Sequence, residues 1–385
     1  MHANQTLGLQ TLHRKQIPYL LSYETLIKHQ CITTLKTPNS HIITCLAIHN
    51  NLLYAASTNI INVFDLSNHK HIDSFNDNDP TSGSVKSIAF NNTNIFTAHQ
   101  DSKIRVWQII IIKRHHSISK RHHHLLSTLP TLKDRLYRFL WTKNYVLVRR
   151  HKKKLWIEHC DTVSGLVVKE GLMYSVSWDK SFKIWNINKS DQRCLESVKA
   201  HEDAVNAVAV SDNGVVYTAS ADGCIRVWER FNTVKNKKHT LVCTLEKHKS
   251  TVNALALNGD GSVLFSGGSD RLILVWEKKI EDGSNNMGFV EALWGHTGAI
   301  LCLINVGDCL FASGSSDRTV RIWQRGMESG YQCMVVMEGH EKPVKSLVAV
   351  SAEDSDGVVS VCSGSLDGEI KIWEISSSSN IKNRS

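Results

Sequence analysis

One pattern recurs along the chain and constrains its fold more than any other feature. Each copy has a Ser or Thr, an Asp four residues later and a Trp six residues after that, with a His upstream that precedes a β-branched residue by four positions. A repeat of this kind indicates supersecondary units that bury their faces only by stacking on one another. The five complete copies are His159–Ser175–Asp179–Trp185, His201–Thr218–Asp222–Trp228, His248–Ser266–Asp270–Trp276, His296–Ser313–Asp317–Trp323 and His340–Ser363–Asp367–Trp373.

Two degenerate copies precede these five. The segment 96–107 lacks the upstream His, and the segment 54–64 has Phe64 in the tryptophan place, so the seven equivalent positions are 64, 107, 185, 228, 276, 323 and 373. The spacing lies between 43 and 50 residues except for one gap of 78. Because apolar residues alternate with period two within each unit, this spacing is typical of WD40 repeats with four short strands each. The sequence therefore predicts an all-β, seven-bladed WD40 β-propeller with a helix-plus-hairpin insertion between the second and third repeats.

The four shared residue types resemble a hydrolase site, but their repetition argues against one. A catalytic set would occur once, whereas this set occurs five times. In a propeller the same residues form a buried chain of hydrogen bonds from Trp to Ser or Thr, then to His, then to Asp. We interpret them as structural tetrads.

The repeat register also predicts the domain limits. The residues after Trp373 are too polar for a further core strand, so the last blade lacks its outer strand. Residues 30–35, "QCITTL", have strand character and are expected to complete that blade and cover its edge. The predicted organisation is an N-terminal tail (1–29), a propeller (30–375, with an insertion at about 110–158) and a C-terminal tail (376–385).

The basic character of the chain belongs to one segment. Residues 113–154 contain 13 Lys or Arg and one acid, giving +12, while the remaining residues sum to −3. This distribution argues against a broadly nucleic-acid-binding surface and favours one local patch.

Within the insertion, residues 131–141 show a short helical period that Thr131 can cap, with Asp134 a weak partner for a capping box. Residues 145–148 and 154–157 read as the strands of a hairpin. Trp156 precedes His159 by three residues, which favours 154–157 as the outer strand of blade two. The alternative is that 125–129 form that strand and the helix and hairpin project beyond it.

The run "VRRHKKKLW" (148–156) is then the turn of this hairpin. Its basic residues are Arg149, Arg150, Lys152, Lys153 and Lys154, and an accessible turn of this kind could serve as a nuclear import signal. The histidines before it are expected to lie in a solvated, mobile loop rather than at a zinc site, because neighbouring cations repel a metal ion. They are His115, His116, His122, His123 and His124.

Residues 127–185 carry a narrower resemblance. The elements 129–134, 144–151, 155–164 and 172–185 resemble the insertion and third repeat of plant WD40 proteins of the JINGUBANG type. That resemblance implies a regulatory adaptor of cytoplasm and nucleus that acts through transcription factors or signalling proteins, in a family associated with pollen germination and tube growth. The His-rich piece 113–126 and the short N-terminal extension depart from the family pattern.

WD40 analogy also places candidate partner-binding residues on the face where strand connections converge over the channel. Trp178 and Leu366 are the sharpest candidates, because exposed aromatic and large apolar groups often dominate binding. For Trp178 the competing interpretation is packing on a neighbouring blade. The full set is Gln100, Trp178, Asn206, Asn253, Leu301, Lys345 and Leu366.

The leading functional hypothesis is a monomeric, non-enzymatic scaffold whose partners are other proteins, with the insertion providing specificity. No catalytic, cofactor or metal site is predicted, because no unpaired nucleophile–base set, phosphate-binding Gly loop or metal-ligand spacing occurs. Two alternatives remain: a substrate receptor of a cullin-RING ubiquitin ligase, weakly supported by Trp276–Lys279, and an RNA-associated propeller using the basic segment. No apolar window is long enough to span a membrane, no signal peptide is recognisable and the ten cysteines are scattered, so we expect reduced thiols and no membrane association.

Overall fold

The computed structural model describes residues 25–38, 42–76, 79–92, 94–114, 117–149, 152–188, 192–230, 238–279, 286–307, 309–326, 330–351 and 358–379. Within these ranges the strands form seven four-stranded antiparallel sheets and one two-stranded hairpin. The seven larger sheets are the blades of a seven-bladed β-propeller, which confirms the predicted fold class.

The first strand, β1 (Thr25–Lys36), belongs to the last blade. Blade one comprises β2 (Cys45–His49), β3 (Leu52–Ser57), β4 (Ile60–Asp65) and β5 (His71–Phe75). Blade two comprises β6 (Val85–Asn91), β7 (Asn94–His99), β8 (Ile104–Arg114) and β9 (Ser117–Leu129). The insertion follows, with α1 (Leu132–Phe139), β10 (Tyr145–Arg149) and β11 (Lys152–Leu155). Short 3-10 turns occupy Pro80–Ser82 and Thr142–Asn144.

Five further blades complete the ring. Blade three comprises β12 (Val163–Lys169), β13 (Leu172–Ser177), β14 (Ser181–Asn186) and β15 (Arg193–Lys199). Blade four comprises β16 (Val205–Val210), β17 (Val216–Ser220), β18 (Cys224–Arg230) and β19 (His239–Glu246). Blade five comprises β20 (Val252–Leu257), β21 (Val263–Gly268), β22 (Ile273–Lys278) and β23 (Met287–Leu293). Blade six comprises β24 (Ile300–Asn305), β25 (Leu310–Ser315), β26 (Val320–Arg325) and β27 (Tyr331–Met337). Blade seven comprises β28 (Val344–Ser351), β29 (Val358–Ser365) and β30 (Glu369–Ser379), completed by β1.

The second strand of each blade lies deepest in the core. All residues of β3, β17 and β21 are buried, because each such strand is covered by the neighbouring blades on both faces. Small residues allow the close approach. A Cβ placed on Gly364 would lie 2.6 Å from the Ile43 Cγ2 atom of blade one, so a larger residue would push the blades apart.

Ring closure follows the prediction made from residues 30–35. β1 pairs antiparallel with β30, with Leu35 opposite Ile370 and Cys31 opposite Trp373. The boundaries are wider than predicted, since β1 begins at Thr25 and β30 continues to Ser379. These two strands pair over a longer stretch than polarity alone indicated, because a paired backbone needs no apolar side chains.

The favoured assignment of the outer strand of blade two is wrong, and the alternative is correct. β9 pairs with β8 from Ile104 opposite Leu129 to Arg114 opposite Ser117. Residues 110–114 and 117–129 therefore belong to blade two, and the insertion begins at about residue 130 rather than 110. The apolar run Ile109–Ile112 lies in the extended end of β8, and β9 pairs with it there.

The histidine cluster is also placed differently. His115 and His116 lie outside the described residues, but His122, His123 and His124 lie in β9 and not in a loop. His123 is buried: its Nδ1 lies 2.7 Å from an Asp73 carboxylate oxygen and its ring stacks on Phe75. Alternation along a strand turns one histidine of the three inward, where a carboxylate satisfies it.

The helix and hairpin of the insertion are present as predicted. Thr131 caps α1, with its hydroxyl oxygen accepting a hydrogen bond from the Asp134 N–H. β10 and β11 pair with Tyr145 opposite Leu155 and Arg149 opposite Lys152, so Lys152–Leu155 of the basic run lie in a strand and not in the turn as predicted; residues 150 and 151 lie outside the described residues. No helix in the described part of the chain is both long and apolar enough to cross a membrane.

Candidate functional site

Each of the five tetrads forms an unbroken chain of hydrogen bonds from Trp through Ser or Thr and His to Asp. In blade three the Trp185 indole N–H donates to the Ser175 Oγ (2.8 Å), the Ser175 hydroxyl lies 2.8 Å from His159 Nε2, and His159 Nδ1 lies 2.9 Å from an Asp179 oxygen. The same three contacts occur in blades four to seven at 2.7–3.2 Å. One arrangement satisfies every group: Trp donates to the hydroxyl oxygen, the hydroxyl donates to Nε2 of a neutral imidazole, and Nδ1–H donates to the carboxylate.

The electrostatics of the blade-three tetrad agree with a neutral His159 beside an ionised Asp179. Burial lowers the pKa of His159 more than the Asp179 charge raises it. Burial by itself would raise the pKa of Asp179, but the charge and hydrogen bond of His159, with hydrogen bonds from Ser181 and the Cys160 N–H, lower it instead. The group is inaccessible and fully paired, so it holds strands together and has no free nucleophile.

Blade two replaces its missing upstream histidine from another position. His99 ends β7, and its Nε2 lies 2.7 Å from the Thr97 hydroxyl, which also accepts the Trp107 indole N–H at 2.9 Å. The imidazole is buried and its Nδ1 has no hydrogen-bond partner, so burial and the Arg105 charge lower its pKa to about 3. Asp101, the tetrad aspartate by position, pairs with Arg105 instead. The sequence signal for this substitution is His99 itself, two residues after Thr97, whereas blades three to seven have their histidine upstream of the Ser or Thr.

Six of the innermost strands carry a β-bulge at the same place. The register shifts at the residue after the first buried one, as between Val205 and Ala207 or Val252 and Ala254. A bulge re-aims one side chain, here toward the central channel. The bulged positions are Lys86, Ser164, Asn206, Asn253, Leu301 and Lys345.

Four of the predicted partner-binding residues are thus brought to one ring: Asn206, Asn253, Leu301 and Lys345. The first three line a cavity of about 220 Å³ in the central channel. The sequence-based set did not include Lys86 and Ser164, which follow Val85 and Val163 at the equivalent bulges. The position of Lys86 could not be counted from an upstream histidine, because blade two lacks one.

Some of the ring residues also join neighbouring blades. The Asn206 amide donates to the Val252 carbonyl oxygen at 3.0 Å, and the Asn253 amide donates to the Ile300 carbonyl oxygen at 2.9 Å. The Ser164 hydroxyl donates to the Val205 carbonyl oxygen in the same way. These three side chains therefore have a structural role, which leaves Leu301, Lys86 and Lys345 as the ring residues that no blade-to-blade hydrogen bond of the described residues engages.

Trp178 lies beside this ring on a turn of blade three. Its side chain is 40% exposed, and the Lys86 ammonium lies 5.7 Å from its ring centroid. The indole thus lies beside Lys86 of blade two and is still partly open to solvent, and its part in partner binding stays a prediction. Burial, and then the charge of Lys345, lower the pKa of Lys86.

The other two turn candidates are less open. Gln100 is exposed, but its Oε1 accepts a hydrogen bond from the Ser84 N–H, and Leu366 is half-buried. The backbone N–H groups of Gln100, Trp178 and Leu366 all donate to the segment leading into the innermost strand of their own blade. All three turns therefore lie on the same face as the channel mouth.

The insertion is held to the propeller by polar contacts. Asp134 accepts hydrogen bonds from the Cys194 N–H (3.3 Å) and the Arg138 Nε (2.8 Å). Arg138 also donates to the Cys194 carbonyl oxygen and lies 4.6 Å from the Trp156 ring centroid. Both backbone groups of Cys194, on the outer edge of blade three, are thereby paired, and α1 covers part of that edge.

The basic run is only partly free. Lys153 is exposed, but the Lys154 ammonium donates to the His159 carbonyl oxygen at 3.2 Å. Arg150 lies outside the described residues, and Arg149 and Lys152 are described by their backbone pairing alone.

Comparison with known proteins agrees with this architecture. Four stretches match the family profile described as "WD domain, G-beta repeat": residues 192–229, 239–277, 288–324 and 331–374. Each match begins in or just before the outer strand of one blade and ends in the third strand of the next. Sequence repeats and blades are therefore offset by one strand, and for the same reason β1 supplies the outer strand of the last blade. WD40 repeats are thus found in residues 192–374, and the seven-bladed propeller of the described residues is consistent with a WD40 fold.

Two relatives show WD-repeat character over part of their length. An uncharacterized WD repeat-containing protein of Schizosaccharomyces pombe is 25% identical over 133 residues, 34% of each chain. A ribosome biogenesis protein WDR12 homolog of Trichoplax adhaerens is 28% identical over 124 residues, 31% of this chain and 28% of that protein. The chain thus spans about a third of the length of the relatives it matches. WD40 propellers of this type generally act as non-catalytic scaffolds that bind other proteins.

Proposed function

We propose that this chain is a non-enzymatic interaction scaffold of the plant JINGUBANG type. In this proposal it acts in cytoplasm and nucleus as an adaptor for transcription-factor or signalling partners, in the control of pollen germination and tube growth. The resemblance of residues 127–185 supports the type, and the WD40 propeller supports the scaffold role.

The observation that carries the proposal is the channel mouth. Trp178 and Lys86 place a partly open indole beside a cation, and Lys345 adds a second cation at the equivalent bulge of blade seven. Aromatic side chains bordered by charge are frequent anchors in protein interfaces. No carboxylate among the described residues forms a salt bridge with Lys86 or Lys345, so an acidic segment of a partner would complement them.

The test is a comparison of proteins captured from pollen by the full chain and by Trp178→Ala combined with Leu366→Ala. Trp294→Ala is the matched control, since Trp294 is exposed and directly follows the outer strand of blade five, not the inner ring of bulged residues. We expect transcription-factor or signalling proteins to be captured by the wild type and the control and lost from the double variant. Identical captured sets would remove the channel mouth as the docking face.

A second candidate is an RNA-associated role. The basic insertion and the likeness to a protein named for ribosome biogenesis favour it. Binding of this kind depends steeply on salt because counterions are released from phosphates. A flat salt titration with single-stranded RNA would exclude it.

A further inference from the structure

Helix α1 presents its apolar face outward. Its inward face carries Asp134, which is buried, and Arg138, which pairs with it. Surface helices ordinarily turn the apolar stripe toward the core. Here five side chains of the helix and its C-cap, with the following Trp141, are between 47% and 80% exposed: Leu132, Leu136, Tyr137, Phe139, Leu140 and Trp141. We call these six residues the apolar ridge.

The exposed charged residues described in the insertion are lysines. Lys133, Lys143 and Lys153 are exposed, and the Lys143 ammonium lies 5.5 Å from the Trp141 ring centroid. The insertion contains two acids, and both are taken up by internal ion pairs: Asp134 with Arg138, and Glu158 with Arg135. The surface that meets solvent therefore combines large apolar groups with uncompensated lysines.

We propose that the apolar ridge and its lysines form a docking surface for an anionic lipid bilayer. Leu, Phe, Tyr and Trp beside Lys is the composition of helices that lie in the membrane interface, and aromatic rings prefer that depth. Lysine stems lie along apolar surface while their ammonium groups reach the headgroups. The proposal departs from the sequence-based expectation of no membrane association.

Two observations favour a bilayer over a protein partner for this surface. The unpaired exposed cations are lysines, which protein interfaces disfavour, whereas the two arginines of the helix are held in ion pairs with Glu158 and Asp134. The charge is also separated along the chain, +12 in residues 113–154 against −3 elsewhere, which orients this segment toward an anionic surface. A second copy of the chain would bring like charges together.

The experiment is flotation of the full chain with phosphatidylcholine vesicles and with vesicles in which a third of the lipid is phosphatidylserine. We expect binding to the anionic vesicles that weakens as salt rises. Leu136→Glu with Leu140→Glu should abolish it. Lys133→Glu with Lys143→Glu should weaken it by about thirtyfold or more, because each lysine near an anionic surface contributes about a factor of five.

Trp294→Glu is the matched control, since it adds a negative charge at an exposed tryptophan outside the insertion. It should bind anionic vesicles as the wild type does, and the melting temperatures of all variants should agree. The proposal is overturned if the wild type does not float, or if it floats equally with both vesicle types. It is also overturned if the ridge variants lose a captured protein while vesicle binding is absent.

Discussion

At the scale of single residues, the tetrads show why a catalytic set of side chain types is inert here. Each hydroxyl is fully buried and accepts from an indole while it donates to an imidazole. Removing any one member of a tetrad costs stability, because it leaves another buried polar atom without a hydrogen-bond partner.

Ser313→Ala tests this. It removes the hydroxyl shared by Trp323 and His296, and we expect a loss of about 1–3 kcal/mol in the free energy of unfolding. Urea titration followed by fluorescence would measure it. Ser316→Ala, on the adjoining turn, is the control and should change stability by less than about 0.5 kcal/mol. Equal effects would show that the hydroxyl is not central.

His99 is a buried residue whose protonation should lower the stability of the fold. Its pKa is lowered to about 3 by burial, while an unfolded histidine titrates near its usual pKa of about 6.5. Between these values the unfolded chain binds a proton that the folded one does not. The stability contribution is therefore complete above about pH 6.5 and declines as the pH falls toward 3.

His99→Asn should remove this pH dependence. Between pH 6 and 4 we expect the unfolding free energy of the wild type to fall more steeply than that of the variant, by up to about 1.4 kcal/mol per pH unit. Melting curves across this range provide the measurement, with His29→Asn at an exposed position as the control. Parallel curves for wild type and His99→Asn would contradict the assignment.

At the scale of elements, the insertion shows how one carboxylate positions a helix. Asp134 accepts from Cys194 on blade three and from Arg138 on its own helix, and Thr131 caps the same turn. Helices of eight residues are marginal in isolation, so α1 depends on these contacts.

Asp134→Ala should release α1 from blade three. The Cys194 N–H and the Arg138 guanidinium would lose their partner, and we expect amide hydrogen exchange in 132–140 to accelerate by at least about tenfold. Mass spectrometry of exchanged peptides would detect it. Lys133→Ala, an exposed change in the same turn, should leave exchange unaltered; protection retained in Asp134→Ala would mean that other contacts hold the helix.

At the scale of the whole molecule, closure of the ring depends on two ends of the chain. β1 completes blade seven, and Leu35 packs with Ile43 and Phe64 of blade one and with Ile370 of β30. The strand therefore joins the last blade to the first, and its loss would expose an edge that can pair with other chains.

Leu35→Asp places a charge in that cluster. We expect a loss of about 3 kcal/mol or more in unfolding free energy, together with aggregation from the opened edge. Denaturation and size-exclusion chromatography would measure both. Ile32→Asp on the same strand is the control, because Ile32 is 44% exposed and should tolerate the charge. Similar losses in the two variants would argue against the role of the cluster.

Much of this architecture could be predicted because it rests on local, repeated patterns. The repeated spacing of residues such as Asp179 and Trp185, together with the period of two, predicted the seven blades. The strand character of residues 30–35 predicted how the last blade is completed. The helix and hairpin of the insertion followed from local propensity, as at Thr131.

Other features depended on contacts between segments distant in the sequence. Period-two alternation allows both 125–129 and 154–157 as a strand, and only the continuous pairing of β8 with β9 decided between them. The burial of His123 required Asp73, fifty residues away. The outward direction of the apolar ridge was set by Asp134 meeting Cys194, because a helical period shows that two faces differ but not which one will find a partner. The sequence by itself determined the blades, whose hydrogen bonds are mostly between neighbours in the chain. The tertiary structure decided which surfaces remained open, since exposure is a property of the packed ring.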